Sequence, residues 1–501
     1  MRIKVTTVLI VFGLLLSAKL HSQLSGNNLF EYQLGNIPGI EPSYLSTHYN
    51  NLNLAYKYKY LKTSVRVEHF LTPVEDRNYL KLSQYNLRYR QKGFELQGGH
   101  FNEMLGNGLL FRTYEIPSSV FEDQAYRVRY GFYKDALGFM AKYRHKWFYL
   151  KALRGKTLVN QLPPTLEKDE RREDLVEAIE SGITFYNQTL GLIFLRNTNA
   201  SGSQNYYSVG LQGSLRNQLI YNTEFASRLW KNSAFNITND TSSYAFYASL
   251  NYFISNVGIS LEWKDYKNFF LGSGFNDPPT LVKEHSAKLL NRNTHVPQLV
   301  NERGYQAEVY YTFNGGQRLT FNHAWVENNF AKYFYFTEVY LQFSSKLFSS
   351  HHVEIFVDYA EDEIAFKENI FTAGIYYSLP LLNGWSGTTD IEWQQFSRKF
   401  NKENQAKNYL ISFSLAKSTL FSISPQLEIS TDPFITDKVN TSAIEKKPRY
   451  FPGINISMSP HPRHRVSLFA GERRGGPACL SGICYEVLDF KGIEIRLTSR
   501  F

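Results

Sequence analysis

Apolar and polar residues alternate along most of the chain with the two-residue period of β-strands. In the stretch LNLAYKYKY, which begins at Leu52, the leucines and tyrosines share one face, and Asn53, Ala55 and the lysines share the other. The stretches SVRVEHF, QAYRVRYGF and QAEVYYTF repeat the pattern. Because successive side chains of a strand point to opposite sides of the sheet, each strand has one apolar and one polar face. The pattern predicts an all-β protein.

The connections between the predicted strands alternate between long and short. Long connections are predicted over residues 36–48, 72–78, 157–176, 230–240, 268–303, 431–451 and 472–483. Most of the others are tight turns, such as those at 187–189, 215–218, 254–256 and 314–317. A soluble sandwich has no reason to sort its connections in this way. The sorting is typical of an up-and-down antiparallel barrel that crosses an outer membrane, with short periplasmic turns and long extracellular loops.

We therefore expect one transmembrane β-barrel domain over residues 23–501. The pattern predicts about 26 strands, and an even number between about 22 and 26 because the region 93–123 is irregular. Closure removes the sheet edges, which lipid has no groups to pair with. Strand pattern begins within a few residues of Gln23, which leaves no room for an N-terminal plug domain.

Residues 1–22 are predicted to be a secretory signal peptide. They begin with the basic stretch MRIK, continue with an apolar run and end among small residues. The alternative is a membrane anchor, but the apolar run is shorter than the roughly 20 residues that a spanning helix needs. A signal peptide predicts export and is consistent with an outer-membrane location.

The composition fits a wall that is apolar on one side only. Aromatic residues make up 16% of the chain, although its mean hydropathy is −0.36. Tyrosine and tryptophan favour the boundary between an apolar wall and water. The net charge is +10, but the basic residues are dispersed and form no stripe, so we expect no nucleic-acid partner. Anionic outer-membrane lipid and lipopolysaccharide, or an interior that favours anions, account for the charge better.

The last ten residues, GIEIRLTSRF, resemble the end of Gram-negative outer-membrane barrels. Such barrels commonly end on a phenylalanine that follows alternating apolar residues, and Ile493, Ile495, Leu497 and Phe501 match that pattern, whereas Ser499 departs from it slightly. The resemblance implies that these residues form an assembly signal that the barrel-assembly machinery reads. It also implies that the last strand pairs with the first.

Four further stretches resemble a family of uncharacterised outer-membrane barrels from Bacteroidota. They are LSGNNLFEYQLG near the start, GGHFNEMLGNGLLFRTYE at 98–115, DPPTLVKEHSAKLLNRNTHV at 277–296 and GERRGGPACLSGICYEVLDFKGIEI at 471–495. This resemblance covers essentially the whole chain after the signal peptide. It implies a fold and a location, and it implies no activity.

The stretch LGNGLLFRTYE is a candidate constriction of the barrel interior. Gly106 and Gly108 allow a sharp or closely approaching backbone, and Arg112 and Glu115 are candidates to face inward. The alternative is an ordinary hairpin with glycine turn residues and charges in a wet interior.

A second candidate feature is a set of charged residues on the polar faces of predicted strands. These predicted lumen-lining residues are Lys57, Lys59, Arg66, Glu68, Arg88, Arg90, Arg127 and Arg129. One interpretation is an electric field that favours anionic solutes. The alternative is that water in the interior simply tolerates the charges and that nearby carboxylates pair with them.

The two cysteines, Cys479 and Cys484, are predicted to form a disulfide that closes a tight loop outside the cell. A metal site there would need further ligands, and none lies nearby in sequence. The histidines and glutamate of the connection 268–303 do not have the spacing of a zinc site, so we expect no metal and no cofactor. This connection is instead predicted to cover the barrel mouth, to narrow the pore or to contact a partner.

The function that follows from barrel size is a pore or channel for small solutes. The alternative is a non-enzymatic structural or assembly subunit of a larger complex of outer-membrane proteins. The chain shows no recognisable set of acid, base and nucleophile, so we do not expect an enzyme.

Overall fold

The computed structural model describes residues 23–501, apart from several short gaps. The gaps are 126, 160–171, 217, 230–242, 282, 297–299, 331, 349, 400, 433–434, 436–447 and 481–482. The predicted signal peptide at 1–22 lies outside the described residues. No helix within the described residues is long and apolar enough to cross a membrane.

The described chain is almost entirely β-strand. The strands are β1 (Leu24–Asn36), β2 (Ser46–Tyr58), β3 (Leu61–Leu71), β4 (Tyr79–Gln91), β5 (Phe94–Phe101), β6 (Met104–Leu105), β7 (Phe111–Arg112), β8 (Tyr114–Glu122), β9 (Arg129–Lys134), β10 (Ala136–Arg144), β11 (Phe148–Thr157), β12 (Leu175–Phe185), β13 (Gln188–Asn199), β14 (Gly202–Leu215), β15 (Leu219–Leu229), β16 (Tyr244–Ile254), β17 (Val257–Lys267), β18 (Glu302–Thr312), β19 (Arg318–Asn329), β20 (Tyr333–Leu347), β21 (His351–Asp362), β22 (Lys367–Pro380), β23 (Trp385–Arg398), β24 (Asn401–Lys417), β25 (Phe421–Ser430), β26 (Arg449–His461), β27 (His464–Arg473), β28 (Gly476–Leu480), β29 (Ile483–Val487) and β30 (Phe490–Arg500). The helical elements are α1 (Lys288–Asn291) and the 3-10 turns Glu75–Arg77 and Leu382–Gly384.

One sheet of 24 antiparallel strands closes on itself to form the barrel. It contains β1–β5, β10–β27 and β30, each paired with the next, and the seam joins β30 back to β1. The seam register runs from Asn27 opposite Arg500 to Asn36 opposite Lys491. The predicted all-β, up-and-down closed barrel is therefore confirmed.

The predicted count of about 26 strands is slightly too high. The surplus arises in residues 102–135, where β6 pairs with β7 and β8 pairs with β9 apart from the wall. The stretch QAYRVRYGF alternates like a wall strand, but its strand β9 packs inside the barrel, where five of its six residues are buried. Alternation in the sequence indicates that a strand has one apolar and one polar face. It does not indicate whether lipid or protein covers the apolar face.

The two faces of the wall differ as the alternation requires. Large apolar side chains are exposed on the outer face, for example Leu190, Leu192 and Phe194 of β13. The inner face carries buried polar residues, for example Glu31 and Gln33 of β1. An apolar exterior and a polar interior are the reverse of a soluble protein and suit a lipid environment.

The two ends of the barrel carry different connections. At one end, here called the short-turn end, all connections have two to five residues, as at 59–60, 92–93, 313–317 and 462–463. At the other, the long-connection end, they include 37–45, 72–78, 102–135, 268–301, 431–448 and 474–489, although 200–201, 330–332, 363–366 and 399–400 are short. The two longest of them fold into the barrel, and they define the site described next.

Candidate functional site in the barrel interior

Two inner segments enter the interior from the long-connection end and pack against each other there. We call residues 102–135 the first inner segment and residues 268–301 the second. Their shared apolar cluster includes Leu105, Leu109, Leu110 and Phe111 of the first segment and Phe269, Leu271 and Phe275 of the second. The amide nitrogen of the Asn276 side chain donates to the carbonyl oxygens of Leu109 at 3.2 Å and Phe269 at 2.8 Å. Part of the interior is thus an apolar core, which stabilises the two segments by burial.

The glycines of the predicted constriction form a sharp turn against the wall. Gly106 and Gly108 have φ values of 52° and 85°, in the left-handed region. The backbone nitrogen of Asn107 donates to Oε2 of Glu224 on β15 at 2.5 Å. A Cβ atom on Gly106 would lie 2.4 Å from the same carboxylate. The turn therefore needs glycine both for its φ angle and for its close approach to the wall.

The two charged residues of the predicted constriction also lie in the interior. Nη1 of Arg112 lies 3.3 Å from Oδ2 of Asp277, so this ion pair joins the two inner segments. Glu115 pairs with Arg66 of β3 and fastens the first inner segment to the wall. Gly106 and Glu115 thus contact two different wall strands, whereas Gly108 and Arg112 both contact Asp277 of the second inner segment.

The β8–β9 hairpin of the first inner segment lies beside the barrel seam. Arg129 is 1% exposed, and its Nη1 donates to Oε1 of Glu31 on β1 at 3.0 Å. Nε of Arg496 on β30 donates to the other oxygen of Glu31 at 2.8 Å. Glu31 therefore joins the two seam strands to the hairpin through two cations. Charge-assisted hydrogen bonds of this kind are stronger than neutral ones.

The other predicted lumen-lining residues lie in three different settings. Arg127 belongs to the interior hairpin, where its Nε donates to Oε1 of Glu122 at 2.7 Å. Glu68 is buried on the wall and accepts hydrogen bonds from the Tyr49 hydroxyl and from the backbone nitrogen of Gly131, both at 2.8 Å. The third setting is the short-turn end, which holds Lys57, Lys59, Arg88 and Arg90.

The second inner segment crosses the interior and meets a carboxylate on several wall strands. Nε2 of His285 lies 3.1 Å from Oε1 of Glu338 on β20. The backbone nitrogens of Lys288 and Leu289, in α1, donate to the two oxygens of Glu392 on β23 at 2.8 and 2.7 Å. Lys283 pairs with Glu308 on β18, and Arg292 pairs with Glu428 on β25. A basic or donor group of the segment thus contacts each of these four wall carboxylates.

His295 anchors the far end of the second inner segment. Its Nε2 lies 3.5 Å from Glu302, and its Nδ1 lies 3.6 Å from Asp362. Burial lowers the pKa of His295, but the two carboxylates outweigh that effect and raise the pKa to about 9. The imidazole is therefore a cation at neutral pH.

Asp135, at the end of the first inner segment, shows the opposite shift. Burial raises its pKa, but the neighbouring His100 and Arg172 prevail and lower the pKa to about 2. Its Oδ2 lies 2.9 Å from Nδ1 of His100, and its Oδ1 accepts from Arg172 at 2.7 Å. The carboxylate stays charged and fixes the segment where it rejoins the wall.

Sequence reasoning did not find the inward carboxylates that hold the two segments. Glu224, Glu338, Glu392 and Glu428 all lie on wall strands and are at most 4% exposed. The only signal in the sequence is an acidic residue on the polar face of a strand, which water in the interior also permits. Among the described residues, no group of three or more His, Cys, Asp or Glu side chains is arranged to hold a metal ion.

The predicted assembly residues lie on the seam strand β30. Ile493, Ile495 and Phe501 are exposed on the outer face of the barrel, and Leu497 is half-buried on the same face. The backbone nitrogen and oxygen of Phe501 both bond to Gly26 of β1, at 3.0 and 2.8 Å. The chain thus remains paired across the seam to its last residue.

The two cysteines lie in the hairpin formed by β28 and β29. Their backbones are directly opposite each other in its register. Their side chains lie outside the described residues, so the disulfide stays a prediction.

A closed antiparallel sheet with an apolar exterior and a polar, partly filled interior defines the class of protein: an up-and-down β-barrel of the kind that crosses outer membranes. The chain belongs to a family of unknown function, DUF6029, whose model matches residues 8–501. A comparison with curated proteins found no match.

Solved barrels resemble this one in fold, with low sequence identity. The E. coli P pilus tip assembly intermediate PapC-PapD-PapK-PapG gives a TM-score of 0.50 at 10% identity, over 95% of this chain and 60% of that chain. The translocation pore of the P pilus usher PapC gives 0.44 at 11% identity, over 95% and 99%. The outer-membrane protein opdK from Pseudomonas aeruginosa gives 0.34 at 10% identity, over 96% and 99%.

Proposed function

We propose that the chain is an outer-membrane pore for small solutes, narrowed by its two inner segments. The observation that carries the proposal is the polar interior of a closed 24-stranded barrel. A barrel of this size is wider than its own side chains fill, so its interior holds water, inserted segments or both. The two segments fill part of it and leave polar cavities beside them.

The proposal includes an orientation and a route to the membrane. The short-turn end faces the periplasm, and the long-connection end, with the predicted disulfide hairpin, faces the exterior. The signal peptide directs export, the barrel-assembly machinery inserts the chain through its last strand, and lipid and lipopolysaccharide cover the apolar outer face. The chain is not an enzyme in this proposal.

Single-channel recording in planar bilayers tests the pore. We expect steady conductance steps from the native chain and larger steps from the double variant Glu392→Ala, Glu428→Ala. These carboxylates hold α1 and Arg292 of the second inner segment, so their loss frees the segment from the far wall.

Glu363→Gln is the matched control for this recording. Glu363 pairs with Lys399, which lies on a neighbouring connection and not on an inner segment, so the conductance should not change. A folded barrel that stays silent in the native and double-variant forms would contradict the pore.

The alternative function is a structural or assembly subunit of a larger outer-membrane complex. It is favoured by the number of ion pairs that fasten the two segments in place, since a permanently filled barrel conducts little. Stoichiometric co-purification with other outer-membrane proteins, together with absent conductance, would support this alternative over the pore.

A further inference from the structure

The interior holds a cavity of about 710 Å³ at the short-turn end of the seam, here called the seam cavity. Its wall is the inner face of β1–β5 and β30, and residues 115–119 of the first inner segment cover it. Small-molecule sites in proteins have volumes of about 300–1,000 Å³, so the cavity is large enough for one.

One row of polar residues crosses five wall strands in the seam cavity. In register order it is Arg500, Asn27, Asn53, Arg66 and Gln84. The amide nitrogen of Asn53 donates to Oδ1 of Asn27 at 2.9 Å, and Nε of Arg66 donates to Oδ1 of Asn53 at 2.6 Å. These bonds hold the amides of Asn27 and Asn53 in fixed positions, and the amide nitrogen of Gln84 is held by Oδ2 of Asp135 at 2.6 Å.

A second row, nearer the turns, places three cations directly opposite one another. Lys57 of β2 is opposite Lys62 of β3, and Lys62 is opposite Arg88 of β4. Lys62 and Arg88 line the seam cavity. Like charges directly opposite each other destabilise a sheet, so this row carries a cost that the fold alone does not explain. Glu95 lies 3.7 Å from Arg88 but also 3.7 Å from Arg90, so it offsets this charge only in part.

The two side-chain carboxylates that line the seam cavity are already occupied. Glu115 pairs with Arg66, and Asp135 binds His100 and Arg172. Neither carboxylate is therefore left to balance Lys62 and Arg88. The cavity offers a ligand cationic groups and amides, and both side-chain carboxylates among its described lining residues have cationic or imidazole partners.

We propose that the seam cavity binds a hydroxylated organic anion, of the size and chemistry of a sugar acid or a sugar phosphate. Side-chain amides both donate and accept hydrogen bonds, as hydroxyl groups require. Lys62 and Arg88 bind the anionic group through charge-assisted hydrogen bonds. The inference rests on the proposed pore, because it names the class of solute that the pore takes.

Binding of glucuronate, glucose and inorganic phosphate to the full chain in detergent, measured by isothermal titration calorimetry, tests the proposal. We expect glucuronate to bind more tightly than either glucose or phosphate, since each of these lacks one of the two recognised features. The double variant Lys62→Gln, Arg88→Gln should weaken glucuronate binding about tenfold or more, because hydrogen bonds to charged groups are lost. Its effect on glucose should be small.

Lys346→Gln is the matched control, because Lys346 is an exposed cation at the short-turn end of β20, on the opposite side of the barrel. It should leave the affinity for glucuronate unchanged. Equal affinity for glucuronate and phosphate, no binding of glucuronate, or a double variant that binds like the native chain would each overturn the proposal. A shift of the unheated band on a gel confirms that each variant is folded.

The binding result and the conductance result are independent. Glucuronate binding to a barrel that does not conduct would retain the cavity assignment and reject the pore. Conductance without glucuronate binding would retain the pore and reject the assignment.

Discussion

At the scale of single residues, the interior depends on contacts that allow little change. Gly106 combines a positive φ angle with a backbone that lies against Glu224, which is itself 2% exposed and bonded to Ser208 at 2.6 Å. An added Cβ therefore meets a carboxylate that is held on two sides, and overpacking of this kind costs about 1–3 kcal/mol.

We predict that Gly106→Ala lowers the free energy of unfolding more than Gly316→Ala does. Gly316 has a φ of 81°, but a Cβ there would meet no atom within 4 Å. In both variants an alanine adopts a left-handed backbone conformation, which costs about 1–2 kcal/mol. The difference between their losses of unfolding free energy therefore isolates the contact with Glu224. Urea unfolding of the refolded barrel measures that difference. Equal losses would show that Glu224 moves aside freely.

His295 gives the interior a pH-dependent anchor. The groups that face it are Glu302 and Asp362, with Lys264 paired to Glu302 and the Phe336 ring stacked at 4.7 Å. Its pKa is about 9 in the folded barrel and about 6.5 in an unfolded chain. The cation thus stabilises the fold fully below pH 6.5, and the contribution is lost as the pH rises through 9.

We predict that, between pH 6 and pH 10, the free energy of unfolding falls by on the order of 3 kcal/mol more in the native barrel than in His295→Gln. The reason is that only the native chain has this cation to lose. The measurement is the urea unfolding free energy of both proteins at each pH. The subtraction cancels the titrating groups that do not interact with His295. Parallel pH profiles for the two proteins would contradict the assignment of the cation to His295.

At the scale of elements, the β8–β9 hairpin shows what alternation predicts and what it misses. The closed antiparallel sheet follows from the period-two pattern, and it is confirmed. The same pattern in residues 114–134 produced surplus wall strands. The apolar face of this hairpin packs on the inner side of the wall, but in the sequence it looks the same as a face that meets lipid. The inward carboxylates were not predicted because their partners lie far along the chain, as Lys288 lies 104 residues from Glu392.

We predict that Arg129→Met loosens this hairpin without opening the barrel. Glu31 keeps Arg496 as a partner. The substitution should therefore lower the free energy of unfolding by about 2 kcal/mol, less than the roughly 3–5 kcal/mol lost when a buried pair is fully broken. Limited proteolysis of the folded barrel should then cut within residues 114–134.

Arg90→Met is the control for that experiment. Its side chain is 77% exposed and 3.7 Å from Glu95, and exposed pairs contribute about 0–1 kcal/mol. Equal protease resistance of native and Arg129→Met barrels would show that the hairpin does not depend on the ion pairs of Arg129.

At the scale of the whole molecule, one seam decides whether the wall closes. A single connection of the chain joins every other pair of neighbouring wall strands. In contrast, β1 and β30 come from the two ends of the described chain. Gly35 and Gly492 face each other there, and a Cβ on Gly35 would lie 2.2 Å from the carbonyl oxygen of Lys491. The seam is therefore a close backbone contact, and it extends to the two bonds between Gly26 and Phe501.

Two changes at Phe501 separate closure from recognition by the assembly machinery. Deletion of Phe501 removes both backbone bonds to Gly26 and also the ring, whereas Phe501→Ala keeps the bonds and removes only the ring. If the ring is part of an assembly signal, both changes should lower the amount of barrel in the outer membrane several-fold, measured by surface labelling and the heat shift on a gel. If only closure matters, the deletion alone should lower that amount, because unpaired backbone groups are costly in lipid.

Normal amounts of both variants would contradict the assembly signal. They would also mean that the remaining pairs from Asn27 to Asn36 suffice to close the wall.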